Sequence, residues 1–476
     1  MDKDFMLVRE LLTLLDMEQR WFTFAEMEKE LGVSDKTIRK LVEALGQQLP
    51  PAMAIEVSRG RGIILHRDRR STTIQEVIAH LIKQTSYSRL MHLLFMQGGR
   101  IRAEEIAEAM FMSASSFKKF IVQLNNQELQ PFHLRITYAA PALKGHEIHI
   151  RYFLWKLFCE AYAFTGWPFT NTDFDTLNQL ITELEAQNRI VYFLNSKRNL
   201  AFLIAIVLER VRQGHTVQIA DEQYHWTESL FYQPLISLTQ KLEHTYHISL
   251  PKDEIYFLIS LFSLSQYNNH VSDHFLASSH TQQEELVISM RNRLFPLLQQ
   301  SFPSLHMDGR FNQEMGEFFE KLIIDNAIPE LMAVSQNHLT TYVQHSCQHV
   351  YDEVQRCMMQ WNHHFEAIRL NEFHLTKLTF LVSSSLRYKS KNAFLIIGEE
   401  FSVRHYVANL IKKEIGDELI VHTAIMEGLT DEIVMQRQID FIISTFPLSI
   451  KSVPTVIIST IPTRRDLDNI RQELLT

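Results

Sequence analysis

Residues 21–45, WFTFAEMEKELGVSDKTIRKLVEAL, read as a helix, a tight turn and a second helix. Glu26, Met27, Glu30 and Leu31 follow a helical pattern that stops at Gly32, the residue type best suited to a short turn. Ser34 is placed to cap the next helix. In that helix Ile38, Leu41, Val42 and Leu45 recur at i, i+3, i+4 and i+7 and define an inward face. Lys36 and Lys40 occupy the opposite face, with Thr37 and Arg39 on its flanks. Such a helix is held to its domain by one stripe and offers a positive, hydrogen-bonding stripe to a phosphate-lined groove with the other. The plain alternative is an amphipathic helix with a solvated charged face.

The next segment favours the groove-reading alternative. Residues 54–57 and 62–65 are apolar and β-prone, with Arg59, Gly60, Arg61 and Gly62 between them, which predicts a two-stranded wing with arginines at its tip. Between Ser34 and Arg70 the basic residues are Lys36, Arg39, Lys40, Arg59, Arg61, Arg67, Arg69 and Arg70, against Asp35, Glu43, Glu56 and Asp68. A local basic excess in a chain of net charge -8 marks one surface as polyanion-facing and argues against a coat-like nucleic-acid binder.

At 476 residues the length predicts three or four domains, and 46% hydrophobic with 21% charged residues is the composition of an ordinary globular protein. Cys159, Cys347 and Cys357 are an odd number and form no secreted disulfide framework, so a reducing cytoplasm is expected. The N-terminus has no signal-peptide order of basic, apolar and small residues. The most apolar stretches, such as residues 200–208, are shorter than the roughly 20 residues a membrane helix needs.

The opening unit recurs. Ser113 stands 79 residues after Ser34, and SASSFKKFIVQL repeats SDKTIRKLVEAL with Phe117, Phe120, Ile121 and Leu124 on the inward positions. Lys118 and Lys119 match Arg39 and Lys40, and Ser115 and Ser116 lie at the start of the same helix. Phe111 replaces the turn glycine. A second hairpin is predicted over residues 134–138 and 147–151. From residue 153 to about 268 the pattern is helical throughout, with stripes at Ile204, Val207, Leu208, Val211 and at Ile255, Leu258, Ile259, Phe262. Residues 270–281 read as a linker, and residues 284–387 as a second helical stretch. After Ala393, short apolar strands alternate with helices, the signature of a small α/β domain with a largely parallel sheet, closed by a helix that Thr463 and Asp466 can cap.

This order of parts, with WFTF, VSDKTIRK, LPP and GRGIIL near the start and FPLSIKSVPTVIIST followed by IPTRRD near the end, closely resembles the Mga/AtxA family of virulence regulators of Gram-positive bacteria, over the whole chain. The resemblance implies two DNA-binding domains, two helical-bundle phosphotransferase-system regulation domains (PRDs), a C-terminal domain similar to enzyme IIB of the sugar phosphotransferase system, and homodimers that activate transcription. It also implies histidines phosphorylated by the sugar phosphorelay. Here SKRNL places Arg198, and KLTFLV places Leu381, where those phosphoacceptors are expected. Neither side chain can accept a phosphoryl group, and Arg198 carries a fixed positive charge instead. In the enzyme IIB region, GEEFSV stands where a phosphocysteine is expected, and none of the cysteines falls in that domain.

His345 and His349 lie four apart and would share a face of a continuous helix, but no second element completes a metal site. His363, His364 and His374 are read as exposed or structural, and the aromatics of TGWPF as loop packing. No phosphate loop, nucleophilic triad or paired-carboxylate motif is present, so neither an enzyme nor a cofactor is expected. The expected fold is mainly α and multidomain: a winged helix-turn-helix (1–70), a second helix-turn-helix (71–152), two PRD-like bundles (153–278 and 279–390) and an enzyme-IIB-like α/β domain (391–476). The expected function is a homodimeric promoter-binding regulator. Ser34, Lys36, Thr37, Arg39, Lys40, Arg59, Arg61, Ser115, Ser116, Lys118 and Lys119 are its candidate DNA contacts. Its dimer runs through the helical and C-terminal domains, with RNA polymerase a further candidate partner and phosphocarrier proteins not expected. The rivals are an architectural protein that selects DNA curvature, and a phosphorelay component or RNA-binding antiterminator with similar bundles.

Overall fold

In a computed structural model, which describes residues 5–68, 70, 72–98, 101–162, 166–219, 226–229, 231–269, 282–334, 339–386, 390–416, 418–423 and 429–475, helix α1 (Phe5–Met17) turns Val8, Leu11, Leu12 and Leu15 into the first core. Helix α2 (Phe24–Leu31) starts later than its sequence pattern suggests. Thr23 Oγ1 accepts the Glu26 N–H at 3.2 Å while the Glu26 carboxylate accepts the Thr23 N–H at 2.7 Å, a reciprocal cap that fixes the boundary. Trp21 and Phe22 therefore stay outside the helix, and Phe22 exchanges both backbone hydrogen bonds with Ile63 at 2.8 Å. Gly32, at φ 66°, ends α2, and Ser34 caps α3 (Asp35–Gly46), whose Ile38, Leu41, Val42 and Leu45 are all buried.

The wing forms as expected, slightly longer: β1 (Met53–Ser58) pairs antiparallel with β2 (Gly62–Arg67), from Met53 opposite Arg67 to Ser58 opposite Gly62. Gly62 has φ 103°, and a Cβ there would sit 1.9 Å from the Phe22 carbonyl oxygen. Only glycine lets the strand come that close to the Trp21–Phe22 segment. Helix α4 (Ile74–Gln84) completes this core with Ile74, Val77 and Leu81.

After α5 (Ser86–Gln97) come α6 (Ala103–Ala109) and α7 (Ala114–Leu124), the repeated helix-turn-helix. Ser113 Oγ accepts the Ser116 N–H at 3.2 Å, as Ser34 does for Thr37. Phe111 takes the left-handed conformation of Gly32, at φ 57°, although it carries a bulky side chain that is 92% exposed. Phe120, expected in the core, is only half-buried, whereas its counterpart Leu41 is buried.

The second hairpin is shorter than expected, and one of its expected arms is helical. Strands β3 (Arg135–Ile136) and β4 (Leu143–Lys144) pair Arg135 with Lys144 and Ile136 with Leu143, and residues 147–151 instead begin helix α8 (Glu147–Ala161). The run EIHIR alternates like a strand, but it is buried from Ile148 to Arg151, so no exposed face marks its helical period.

Helices α9 (Phe174–Asn188), α10 (Leu194–Arg212), α11 (Tyr232–Tyr246) and α12 (Lys252–Leu264) follow. The region is not helical throughout: β5 (Ile190–Tyr192) pairs antiparallel with β6 (Tyr267–Asn269). Three-residue strands fall below the length at which alternation can be recognised. α10 is buried without a break from Leu200 to Arg210, making it a central helix rather than one with a single apolar stripe. The expected linker, 270–281, lies outside the described residues.

Helices α13 (Gln282–Ser301), α14 (Gly309–Ala327), α15 (Pro329–Val334), α16 (Leu339–Ser346), α17 (Gln348–Asn362) and α18 (Glu372–Ser385) make the second helical stretch. Cys347 interrupts it between α16 and α17, so His345 and His349 are not on one continuous helix. Two compact units result. One comprises Met1–Arg291, Gly316–Tyr342 and Asn362–Thr376, and the other comprises Asn292–Met315, Val343–Trp361 and Lys377–Thr476.

The chain closes with β7 (Lys391–Ile396), α19 (Phe401–Ile415), β8 (Leu419–Thr423), α20 (Asp431–Gln436), β9 (Phe441–Ser444), β10 (Thr455–Ile457) and α21 (Arg464–Leu475). The sheet is parallel, in the order β10-β9-β7-β8. Alternate residues of β7 enter two cores, Ala393 and Leu395 on one face and Phe394 and Ile396 on the other, which is why its sequence is continuously apolar. Thr463 and Asp466 cap α21 reciprocally, at 2.8 and 3.3 Å. Among the described residues no helix is long and apolar enough to cross a membrane.

Opposite stability changes are expected at the two special turns. Gly62→Ala should lower the melting temperature markedly, since backbone must move. Phe111→Gly should raise stability by about 0.5–1 kcal/mol, because relief of left-handed strain outweighs glycine's entropy and no packing is lost. Thermal melts of the full chain check both.

Candidate nucleic-acid interface

The cap at Ser34 and the buried stripe of α3 fix which side chains face outward. Lys36, Arg39 and Lys40 are exposed, and Thr37 is half-buried with its hydroxyl 3.1 Å from that of Ser34. Among the described residues no ion pair is formed by Lys36 or Lys40. Arg39 is held: its Nε lies 2.7 Å from Asp35 Oδ1 and its guanidinium 3.7 Å above the Phe24 ring. Arg59 is exposed at the wing tip, and Arg61 lies over Trp21 at 5.8 Å. Arg20 covers Phe22 at 4.0 Å and pairs with Glu18 and Glu26.

WFTF thus carries one guanidinium on each of its three rings. The sequence pattern places these aromatics in a helix and WFTF among the motifs of the family resemblance; the signal for the stacking is aromatic residues beside a turn, with several arginines nearby. Such stacking holds an arginine in place for roughly 0.5–1 kcal/mol at exposed sites. It leaves the guanidinium edges available for phosphate.

In the second unit Ser115, Ser116, Lys118 and Lys119 are all exposed on α7. Ser113 Oγ is engaged with Ser115 at 3.2 Å and Ser116 at 2.9 Å, so these two hydroxyls already belong to the helix cap. Lys144 is exposed on the short hairpin.

Behind this surface lies a buried ionic network. Arg151, fully buried on α8, donates to both oxygens of Glu254 on α12 at 2.6 and 2.8 Å, to Glu147 at 2.9 Å and to the His215 carbonyl at 3.1 Å. Arg210 of α10 also grips Glu147, at 2.6 and 2.9 Å. Burial pushes the Glu147 carboxyl up, but Arg210 and Arg151 outweigh it and hold the group below the usual carboxylate range. Gln213, at the end of α10, donates to the Phe95 carbonyl of α5 at 2.7 Å.

Arg198 and Leu381, the residues that the resemblance puts where phosphoacceptors are expected, sit in different surroundings. Arg198, half-buried on α10, donates from Nη2 to the carbonyls of Tyr162 and Gly166, both at 2.8 Å, and lies 5.3 Å from the ring centres of Phe174 and Phe202. Leu381 is half-buried on α18, between buried Leu378 and Val382. Burial raises the Cys159 thiol far above its ordinary range, so it stays protonated. His374 is buried with Nε2 3.1 Å from Asp325, and its Nδ1 accepts the Asn371 N–H.

Removing one partner of the network should be costly. Glu254→Ala leaves Arg151 buried without its bidentate partner and is expected to destabilise by about 3–5 kcal/mol, whereas the double change Arg151→Met, Glu254→Leu should recover much of this. Chemical denaturation of the two variants tests the difference.

The comparisons with known proteins follow this architecture. Residues 70–158 match the Mga helix-turn-helix domain and residues 178–264 match the PRD domain. The chain is 27% identical to the capsule synthesis positive regulator AcpA of Bacillus anthracis, over 98% of each chain. It is also 27% identical to the capsule synthesis positive regulator AcpB of the same organism, over 100% of this chain and 99% of that one. Its identity to the anthrax toxin expression trans-acting positive regulator of Bacillus anthracis is 24%, over 99% and 98%. The chain thus matches an Mga helix-turn-helix domain and a PRD domain, and is collinear from end to end with proteins named as positive regulators.

Proposed function

We propose that this protein is a transcription activator of the cytoplasm that binds promoter DNA as a homodimer. The observation that carries the reading is α3: a capped helix fixed by a buried stripe, with Lys36 and Lys40 exposed and free of ion pairs among the described residues, beside a wing bearing Arg59 and Arg61. Relatives along the whole chain are named positive regulators, which supports activation rather than repression.

In this reading Ser34, Lys36, Thr37, Arg39 and Lys40 enter the major groove, while Arg59 and Arg61 hold the flanking backbone. Arg39 exchanges Asp35 for DNA without leaving Phe24. Ser115, Ser116, Lys118 and Lys119 contact a further stretch of the same duplex, chiefly at phosphates. The helical regulatory and C-terminal domains form the dimer and present the activator to RNA polymerase. Arg198 and Leu381 make the usual phosphohistidine route inoperative, and the C-terminal α/β domain is an enzyme-IIB-like fold without its phosphocysteine.

Lys36→Ala, Arg39→Ala and Lys40→Ala together should weaken promoter binding at least tenfold at matched salt and flatten the slope of log affinity against log salt by about one per lost phosphate contact. Unchanged binding in a fluorescence-anisotropy titration would refute the assignment. Competition with single-base variants of the bound fragment separates direct readout from selection of curvature: only the former shows losses confined to particular bases.

A further inference from the structure

The duplicated helix-turn-helix differs from the first copy where its core should close. Leu41 is buried, but Phe120 is half-buried and forms a wall of a cleft of about 280 Å³. This cleft runs between α7, α8 and the start of α5 and touches α1 through Arg9. Its remaining aromatic walls are connected: Tyr87 meets Phe153 edge-on at 6.2 Å, and Phe153 meets Phe132 at 5.1 Å. A single turn of π-helix, Asn125–Leu129, directly after α7 brings Glu128 to the same cleft. Such turns are uncommon and often re-aim a side chain at a functional site.

The charges on these walls are unevenly satisfied. Arg9 is 3.8 Å from Glu160, and the Lys156 ammonium lies 5.4 Å above the Phe132 ring. Glu128 is half-buried and, among the described residues, has no cation within ion-pair distance. Burial lifts its carboxyl above the usual range, and both Glu128 and Glu160 act with burial to raise the neighbouring Tyr87 hydroxyl. Arg9 and Lys156 also line the cleft, but Arg9 is directed to Glu160 and Lys156 to the Phe132 ring, which leaves the Glu128 carboxylate, a phenol and aromatic faces, the groups that recognise an organic ammonium.

We propose that this cleft binds a small organic ammonium with an apolar or aromatic body, its nitrogen at Glu128 and its body among Tyr87, Phe120, Phe132 and Phe153. A molecule of roughly ten heavy atoms suits the volume. Bound there, it presses on the C-terminal half of α7 and on α8 together. It thereby sets the position of the helix that carries Lys118 and Lys119. This regulatory consequence rests on the DNA-binding reading above; the binding site itself does not.

Calorimetric titration of the full chain with phenethylammonium and benzyltrimethylammonium tests the site, with 3-phenylpropionate as the size-matched anion. Both amines are expected to bind one per chain, and the anion not to bind. Glu128→Gln should weaken the amines roughly tenfold or more, Glu128→Asp less so, and Lys156→Gln should leave them bound. Thermal melts of each variant establish that it is folded. Absence of amine binding, equal binding to folded Glu128→Gln, or equal binding of the anion overturns the proposal. The two readings fail separately: amine binding by a protein that ignores promoter DNA upholds the cleft and refutes the activator, and promoter binding without amine binding does the reverse.

Discussion

Arg151 is the constraint on which the larger unit turns. A fully buried guanidinium is tolerable only when its donors are met and its charge balanced, because desolvation otherwise costs several kcal/mol. Here the balancing groups come from distant parts of the sequence: Glu147 one turn back on the same helix, Glu254 on α12 and a carbonyl after α10. α8 cannot shift without leaving charges unpaired. Since α8 also walls the cleft beneath α7 and follows directly on the second hairpin, the same constraint positions part of the candidate interface.

The duplicated units show how one local pattern gives different results in different surroundings. Both begin with a serine cap and both turn through a left-handed residue. In the first copy glycine makes that turn without strain and α1 fills the core. In the second, phenylalanine makes it, and the core stops short at Phe120. The wing of the first copy is long because Gly62 admits the Phe22 segment as a third, short partner; the hairpin of the second has two residue pairs and nothing comparable.

The first helix-turn-helix, its wing, the repeat and the parallel C-terminal strands were legible because each depends on local signals: caps, glycine, and apolar spacing with a contrasting exposed face. α8 was not, because a helix buried on all sides has no contrasting face, and the strands β5 and β6 were not, because three residues carry no period. The outward lysines of α3 could be named from spacing alone. The arginine stacking on Trp21 and Phe24 could not: it depends on the third dimension, bringing Arg61 and Arg39 to rings well away from them in sequence. Glu128 carries no local signal for the same reason, since its place on the cleft follows from how α7, α8 and the start of α5 come together.

Arg198 bears on how such a regulator can be switched. A phosphohistidine changes a site's charge on demand, whereas a guanidinium bound to two carbonyls and set between two rings supplies one fixed charge and a fixed geometry. It ties the end of α8, through the Tyr162 carbonyl, to α10, and so acts as a fastening. Under the proposed function, control must then enter where charge and packing are still incomplete. In the first core packing is closed, and in the ionic network Arg151 and Arg210 are matched by Glu147 and Glu254. The cleft under α7 differs on both counts, with Phe120 half-buried and Glu128 without an opposite charge, and it adjoins the helix whose position would have to change.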